Sequence, residues 1–289
     1  MLKFINLDRS PTLIGWDRAF SRSRPFARHY KRRWRFTAAF ALAALAVATT
    51  IVYARSTNAL RTRLLMAIPD TIPADATLNA YAMSRGKVAF ARHCASCHGQ
   101  RGQGDVVRGV PNLGDHDWLY GTGRVVEIER VVLYGIRSGN SKGWKLASMP
   151  AFATNNPYKL YQLSPLTPQE ISDVTEYILS FQGRSADAAA TERGTKVYRS
   201  PVRGLCWDCH GERAQGNSAI CAPNLTDDIW LYGDGSRASI YNSVAYGHAG
   251  SCPAWISRLS PLTIRAVAVY VHNLSATASA TPTSREMHE

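Results

Sequence analysis

The sequence predicts a mostly α-helical protein: one N-terminal transmembrane helix followed by two tandem small domains of one kind. Three observations carry this expectation. Residues 36–54 are nineteen in a row without a charge. Beyond them the chain holds two near-copies of one pattern, displaced by 112 residues where the match is strongest. Within each copy apolar residues recur at helical rather than strand spacing. Composition agrees, since 45% hydrophobic and 19% charged over 289 residues fit neither a disordered polymer nor a protein with many membrane spans.

The net charge of +13 would suggest nucleic acid or a membrane surface, but it is unevenly spread. Residues 1–35 form a basic, cytoplasmic N-terminus carrying +8, residues 55–70 add +2, and residues 71–289 hold only +3. The folded part is nearly balanced, which argues against a nucleic-acid partner.

The elements follow in chain order. The run 36–54 is just long enough to cross a hydrocarbon core of about 30 Å at 1.5 Å per residue. Ahead of it lies His29-Tyr-Lys-Arg-Arg-Trp-Arg35, which the positive-inside rule keeps in the cytoplasm. A cleaved signal peptide is the competing reading, because Ala46-Val-Ala48 looks like a cleavage site. The long basic leader and the apolar run continuing to Ala54 favour an uncleaved, single-pass anchor. Residues 55–80 read as a periplasmic tether, with Pro69 and Pro73 discouraging one continuous helix.

The first domain is expected over 81–183. A periodic stretch, Ser84–Cys94, runs into Cys94-Ala-Ser-Cys97-His98-Gly99. Near its end, Thr167-Pro168-Gln-Glu170 supplies an N-cap, a first-turn Pro and a reciprocal Glu for a closing helix over Ile171–Phe181. Residues 184–191 are an Ala-rich linker. The second domain, 192–275, contains Cys206-Trp-Asp-Cys209-His210-Gly211 and a closing helix from Ile264 to Leu274. Residues 276–289 are a polar, flexible tail.

C-x-x-C-H is the attachment pattern of c-type haem: two thiols bond the porphyrin, and the next residue's imidazole takes the iron. Zinc or disulfide chemistry is the alternative for a lone C-x-x-C. Two copies inside a longer repeat favour haem. Pro111-Asn-Leu113 matches Pro223-Asn-Leu225, and Trp118-Leu-Tyr-Gly121 matches Trp230-Leu-Tyr-Gly233, both at offset 112. Met149-Pro-Ala-Phe152 then meets Cys252-Pro-Ala-Trp255 at offset 103, and Leu163-Ser-Pro-Leu-Thr167 meets Leu259-Ser-Pro-Leu-Thr263 at offset 96. Two covalently bound haem c groups are expected, held by Cys94 and Cys97 and by Cys206 and Cys209, with the haem domains in the periplasm.

These residues resemble class I cytochrome c domains. An anchor followed by two such domains, each with Pro-Asn-Leu and Trp-Leu-Tyr-Gly, looks like the dihaem subunit III (CcoP/FixP family) of cbb3-type cytochrome c oxidases. The resemblance covers roughly residues 80–275. It implies electron transfer from periplasmic cytochrome c donors to a haem–copper oxidase at the bacterial inner membrane. It also implies association with that oxidase's catalytic subunit and a monohaem cytochrome subunit, and no catalytic site in this chain. The other readings are a dihaem carrier for a different periplasmic oxidoreductase, such as a dehydrogenase, and an enzyme acting at an unusually ligated second haem.

His98 and Met149 are expected to ligate the first iron and His210 the second. The resemblance has the carbonyls of Pro111 and Pro223 orient the two imidazoles. Gly102 and Gly104 would let the loop pass close to the porphyrin. Trp118, Tyr120, Trp230 and Tyr232 would wall the haem edges, with plain core packing as the alternative. His93 reads as exposed, and His116 and His272 as structural. Arg124, Arg137 and Lys142 could offset haem propionates, although arginine on a solvated face is the more frequent case. No methionine lies between Met149 and Met287, and the repeat puts Cys252 where the first copy has Met149. Three readings stay open for the second iron: a Cys252 thiolate, a Cys221–Cys252 disulfide, or His248 or an open site.

Overall fold

The computed structural model describes residues 25–146, 148–154 and 163–278, the side chains of 25–32 and 276–278 excepted. The expected basic segment before residue 25 and the tail after 278 lie outside the described residues. Regular structure among the described residues is helical, with isolated β-bridges and no longer strand. The chain forms two compact units, residues 1–58 and 59–289.

The first unit contains most of α1 (Pro25–Met66). From Arg33 onward α1 is long and apolar enough to cross a membrane, and its apolar stretch is unburied. Phe40, Leu42 and Val52 are exposed, as expected of a surface meant for hydrocarbon. The helix runs twelve residues past the expected span. Nothing between Arg55 and Met66 is Gly or Pro, so nothing stops it there.

In the second unit Pro69–Ala74 forms a 3-10 turn, and Asp75 caps α2 (Ala76–His93) by accepting from the Thr77 and Leu78 amides. The first Cys-x-x-Cys-His forms the single turn α3 (Ala95–His98), followed by α4 (Val125–Tyr134). The closing helix α5 (Pro168–Ser180) begins with the expected capping box of Thr167 and Glu170. The Ala-rich linker is shorter than its composition suggested. Asp187 caps α6 (Ala188–Arg199), so Ala188–Thr191 are already helical. Then come α7 (Cys206–His210), α8 (Arg237–Tyr246) and α9 (Pro261–Ala278).

The repeats are tandem in sequence but exchanged in packing. Helix α5 packs on α6 and α8, which belong to the second copy. Helix α9 returns to α2 and α4, which belong to the first. Two large apolar cores result, with a smaller cluster of Tyr177, Tyr198 and Ala214 where α5 meets α6. One combines Leu78, Phe90, Val125 and Ile128 with Val267 and Val271. The other combines Ile171, Val174 and Ile178 with Ile240 and Val244.

Both helix crossings are tight for one reason. A Cβ on Gly86 would lie 2.2 Å from the Ala266 carbonyl oxygen of α9, and one on Gly194 2.0 Å from the Asp173 carbonyl oxygen of α5. Only glycine permits these approaches. Ion pairs add direction: Arg265 of α9 meets Glu129 of α4 at 2.9 Å with both side chains mostly buried, and Arg237 of α8 pairs with Glu176 of α5.

Candidate haem sites

Each Cys-x-x-Cys-His turn is built by the same local hydrogen bonds. Cys94 ends α2 with its amide on the Phe90 carbonyl, and the His98 amide returns to the Cys94 carbonyl at 3.0 Å. The loop then folds back, with the Gly104 amide on the His98 carbonyl at 2.9 Å and the equivalent Gly216 amide on His210 at 2.8 Å. Gly104 has φ +73, and a Cβ there would meet the Val110 carbonyl at 2.5 Å, so the turn needs glycine. Ala214, matching Gly102, takes φ +60 in the second copy at some strain.

Both imidazoles are oriented as expected. His98 Nδ1 lies 3.2 Å from the Pro111 carbonyl oxygen, and His210 Nδ1 3.0 Å from that of Pro223. A carbonyl accepts only, so Nδ1 carries the proton and Nε2 keeps its lone pair for a metal. Burial lowers the pKa of both rings, which favours the neutral form that binds iron. Burial also pushes the Cys94 and Cys206 thiols up to about 12.

One continuous cavity of about 630 Å³ is lined by both thiol pairs and both histidines. Its walls are mainly apolar, with Phe90, Ile128 and Val271 on one side and Val174, Ile178 and Val244 on the other. Trp118 and Trp230 also line it, each packed edge-on against a glycine, Gly123 and Gly235. Paired thiols, a tautomer-locked histidine and an apolar slot fit a covalently attached porphyrin twice over.

The distal segments follow the exchange of helices. Met149 packs with Leu225, Trp230 and α5, in the half that carries Cys206, Cys209 and His210. Cys252 stands close enough to Cys94 and Cys97 for their charges to interact, in the half that carries His98. Paired backbone hydrogen bonds hold each: Ile136 and Cys252 exchange both at 2.9 Å, and Met149 and His248 at 2.9 and 3.0 Å. Sequence reading set Met149 opposite His98 and Cys252 opposite His210. The structure groups Met149 with His210 and Cys252 with His98.

The alternatives for Cys252 are narrowed as well. Cys221 and Cys252 are both free thiols. His248 stacks face to face on Tyr232, centroids 3.6 Å apart, and its Nε2 is 2.9 Å from Ser243 Oγ. That ring lines the cavity but is held by these two contacts. Burial, and then the neighbouring Cys97, raise the Cys252 thiol to about 11. Coordination to a metal reverses such a cost by deprotonating the thiol.

The remaining sequence candidates sort clearly. Arg124 pairs with Asp70 at 2.5 Å, and Lys142 lies over the Tyr134 ring. His93, expected to be exposed, is partly covered by Trp255 at 5.4 Å. His272 is structural, its Nδ1 2.8 Å from the Gly123 carbonyl oxygen. Of the three cations considered for propionates, only Arg137 faces the cavity. Sequence reasoning missed the exchange of α5 and α9. A usable signal was present, because the short joint between α5 and α6 favours antiparallel neighbours.

Comparison with known proteins places the chain among cytochromes c. The family model "Cytochrome c" matches residues 83–182, and "Cytochrome C oxidase, cbb3-type, subunit III" matches 189–271. The CcoP subunit of the Cereibacter sphaeroides cbb3-type oxidase is 37% identical over 77% of this chain and 71% of its own length. The chain belongs to the cbb3-type cytochrome c oxidase subunit III family. FixP subunits from Azorhizobium caulinodans and a Bradyrhizobium strain are 42% and 41% identical, over 60% and 64% of their lengths. The chain therefore spans somewhat less than two thirds of those two relatives. As a subunit III family member it carries covalent haem c and is membrane-anchored, with one helix among the described residues long and apolar enough to serve.

Proposed function

We propose that the protein is the dihaem electron-transfer subunit of a cbb3-type haem–copper oxidase, taking electrons from periplasmic cytochrome c donors. The observation that carries this reading is the single cavity lined by two complete thiol–thiol–histidine sets. Haem supplies reversible one-electron exchange. The chain's own residues do the rest: four cysteines tether, His98 and His210 orient, and α5 and α9 cover the two faces against water. Two haems within one unit suit passage of electrons between them. The oxidase catalytic subunit and a monohaem cytochrome subunit are the partners, α1 is the anchor, and the basic N-terminus lies in the cytoplasm.

In this reading His98 and Cys252 ligate one iron, and His210 and Met149 the other. Thioether favours ferrous iron and a high potential, whereas an anionic thiolate favours ferric iron and a low one. The two haems then differ in potential, and the Met149 haem is the one matched to exchange with high-potential partners.

Purification from native membranes tests the function. Recovery with a subunit carrying haem b and copper is expected. Recovery with a dehydrogenase instead would move the protein to another electron chain. Mass measurement should show two haems, and one or none would remove the reading.

A further inference from the structure

We propose that Arg137 is a shared counter-cation for the propionates of both haems, binding them at the junction of the two halves. The inference rests on the two-haem reading above. Arg137 follows Ile136, the residue bridged to Cys252, so it sits where one half receives a segment from the other. Its guanidinium reaches into both halves. Nη2 donates to the Tyr120 hydroxyl at 2.7 Å, Nε to the Gly250 carbonyl at 2.5 Å, and Nη1 to the Leu146 carbonyl at 3.4 Å. Its charge also reaches the Tyr232 phenol and the Cys221 thiol.

Tyr120 and Tyr232 are the matching residues of the two Trp-Leu-Tyr-Gly loops. Both line the cavity with Arg137. One cation therefore faces the same structural feature of both repeats, and the sequence provides no second one. At offset 112 the counterpart of Arg137 is Ala249.

The chemistry requires a cation at such a place. Each haem c brings two carboxylates, and burying them in an apolar cavity is costly without a partner. A guanidinium stays charged and presents a planar fork that two carboxylates can share. Arg108, the other arginine that lines the cavity, is paired with Asp105 and faces the first copy's thiol turn through the Cys97 carbonyl. Arg137 also holds φ +46, a conformation normally left to glycine and retained where the surroundings demand it.

The test is redox titration of the intact, haem-loaded protein, after haem content has been measured. Fewer than two haems would sink the two-haem reading itself. With two present, Arg137→Gln should lower both midpoints, because removing a positive charge favours ferric iron. The expected size is about a tenfold fall in the ferrous-to-ferric ratio at each haem, about 59 mV for a one-electron couple. Arg137→Lys, which keeps the charge, should move both by less than half as much. A shift at one haem only, no shift, or equal shifts for Gln and Lys would overturn the proposal. Should the Gln variant fail to assemble, a structure of the unsubstituted haem-loaded protein decides. A propionate of each haem within hydrogen-bond distance of the guanidinium supports the proposal, and both pairs beyond reach refute it.

Discussion

The two distal segments, Met149-Pro-Ala-Phe152 and Cys252-Pro-Ala-Trp255, are held by the same kind of backbone pairing and differ in their first side chain, a thioether against a thiol. Each pairs with the residues just after a haem-wall helix, Met149 with His248 after α8 and Cys252 with Ile136 after α4. Each is followed by a closing helix, α5 or α9, that covers its haem slot. The lesson is a separation of roles. Backbone pairing sets where each distal segment stands, and in the proposed reading one side chain would set which oxidation state of iron is favoured.

The largest expected effect comes from making the two halves alike. Cys252→Met should raise the midpoint of the His98 haem by roughly 0.2 V, within the range of about 0.8 V that axial ligands span. Its visible spectrum should lose any thiolate character, and the His210 haem should stay unchanged. Redox titration with optical detection reads both. An unmoved His98 haem would remove Cys252 from the iron.

Met149→His sharpens the comparison from the other side. Imidazole donates more strongly to ferric iron than thioether, so the His210 haem should fall by roughly 0.1–0.2 V. A fall at the His98 haem instead would show that each repeat keeps its own ligand. The pairing of segments with irons thus has a direct readout.

Exchange of the closing helices predicts a stability effect. Arg265→Met leaves Glu129 mostly buried without its cation, which should cost about 3 kcal/mol in thermal or denaturant unfolding. Arg265 also donates to the Leu64 and Ala67 carbonyls at 3.0 and 2.8 Å, so the end of α1 should loosen with it. A cost below about 0.5 kcal/mol, typical of a surface substitution, would argue against this packing.

Asp173 predicts a pH dependence. The hydrogen bond from Arg193 of α6 holds its carboxyl below the usual carboxylate range. A depressed folded pKa stabilises at pH values above the unfolded one, near 4, and that contribution is lost as pH falls through the folded value. Asp173→Asn should therefore flatten the fall in stability below about pH 4 relative to the unsubstituted protein. The smallest effect is at the helix cap: Thr167→Ala should cost about 1 kcal/mol by freeing the Glu170 amide.

Covalent haem attachment was legible from spacing, because two thiols and an imidazole in one turn leave little else for the residues to do. The capping box at Thr167 and the existence of both closing helices were equally local, whereas the proline carbonyls behind both histidines were expected from the family resemblance. The anchor was legible too, though α1 runs to Met66 because no helix breaker precedes Pro69.

The partners of the closing helices were not legible. By periodicity α5 and α9 present similar apolar faces, so either would close either repeat. The discrimination lies in contacts between residues far apart in the chain. Glu129 and Arg237 occupy positions whose counterparts at offset 112 are Tyr241 and Val125. Without the exchange, Arg265 would face the tyrosine and Glu176 the valine, each buried charge losing its counter-ion. Composition, repeats and spacing by themselves determined two Cys-x-x-Cys-His turns and the covalent haem c chemistry that such turns serve. Only the tertiary structure decided in which half each distal segment lies, because hydrophobic periodicity is a local property and charge pairing across helices is not.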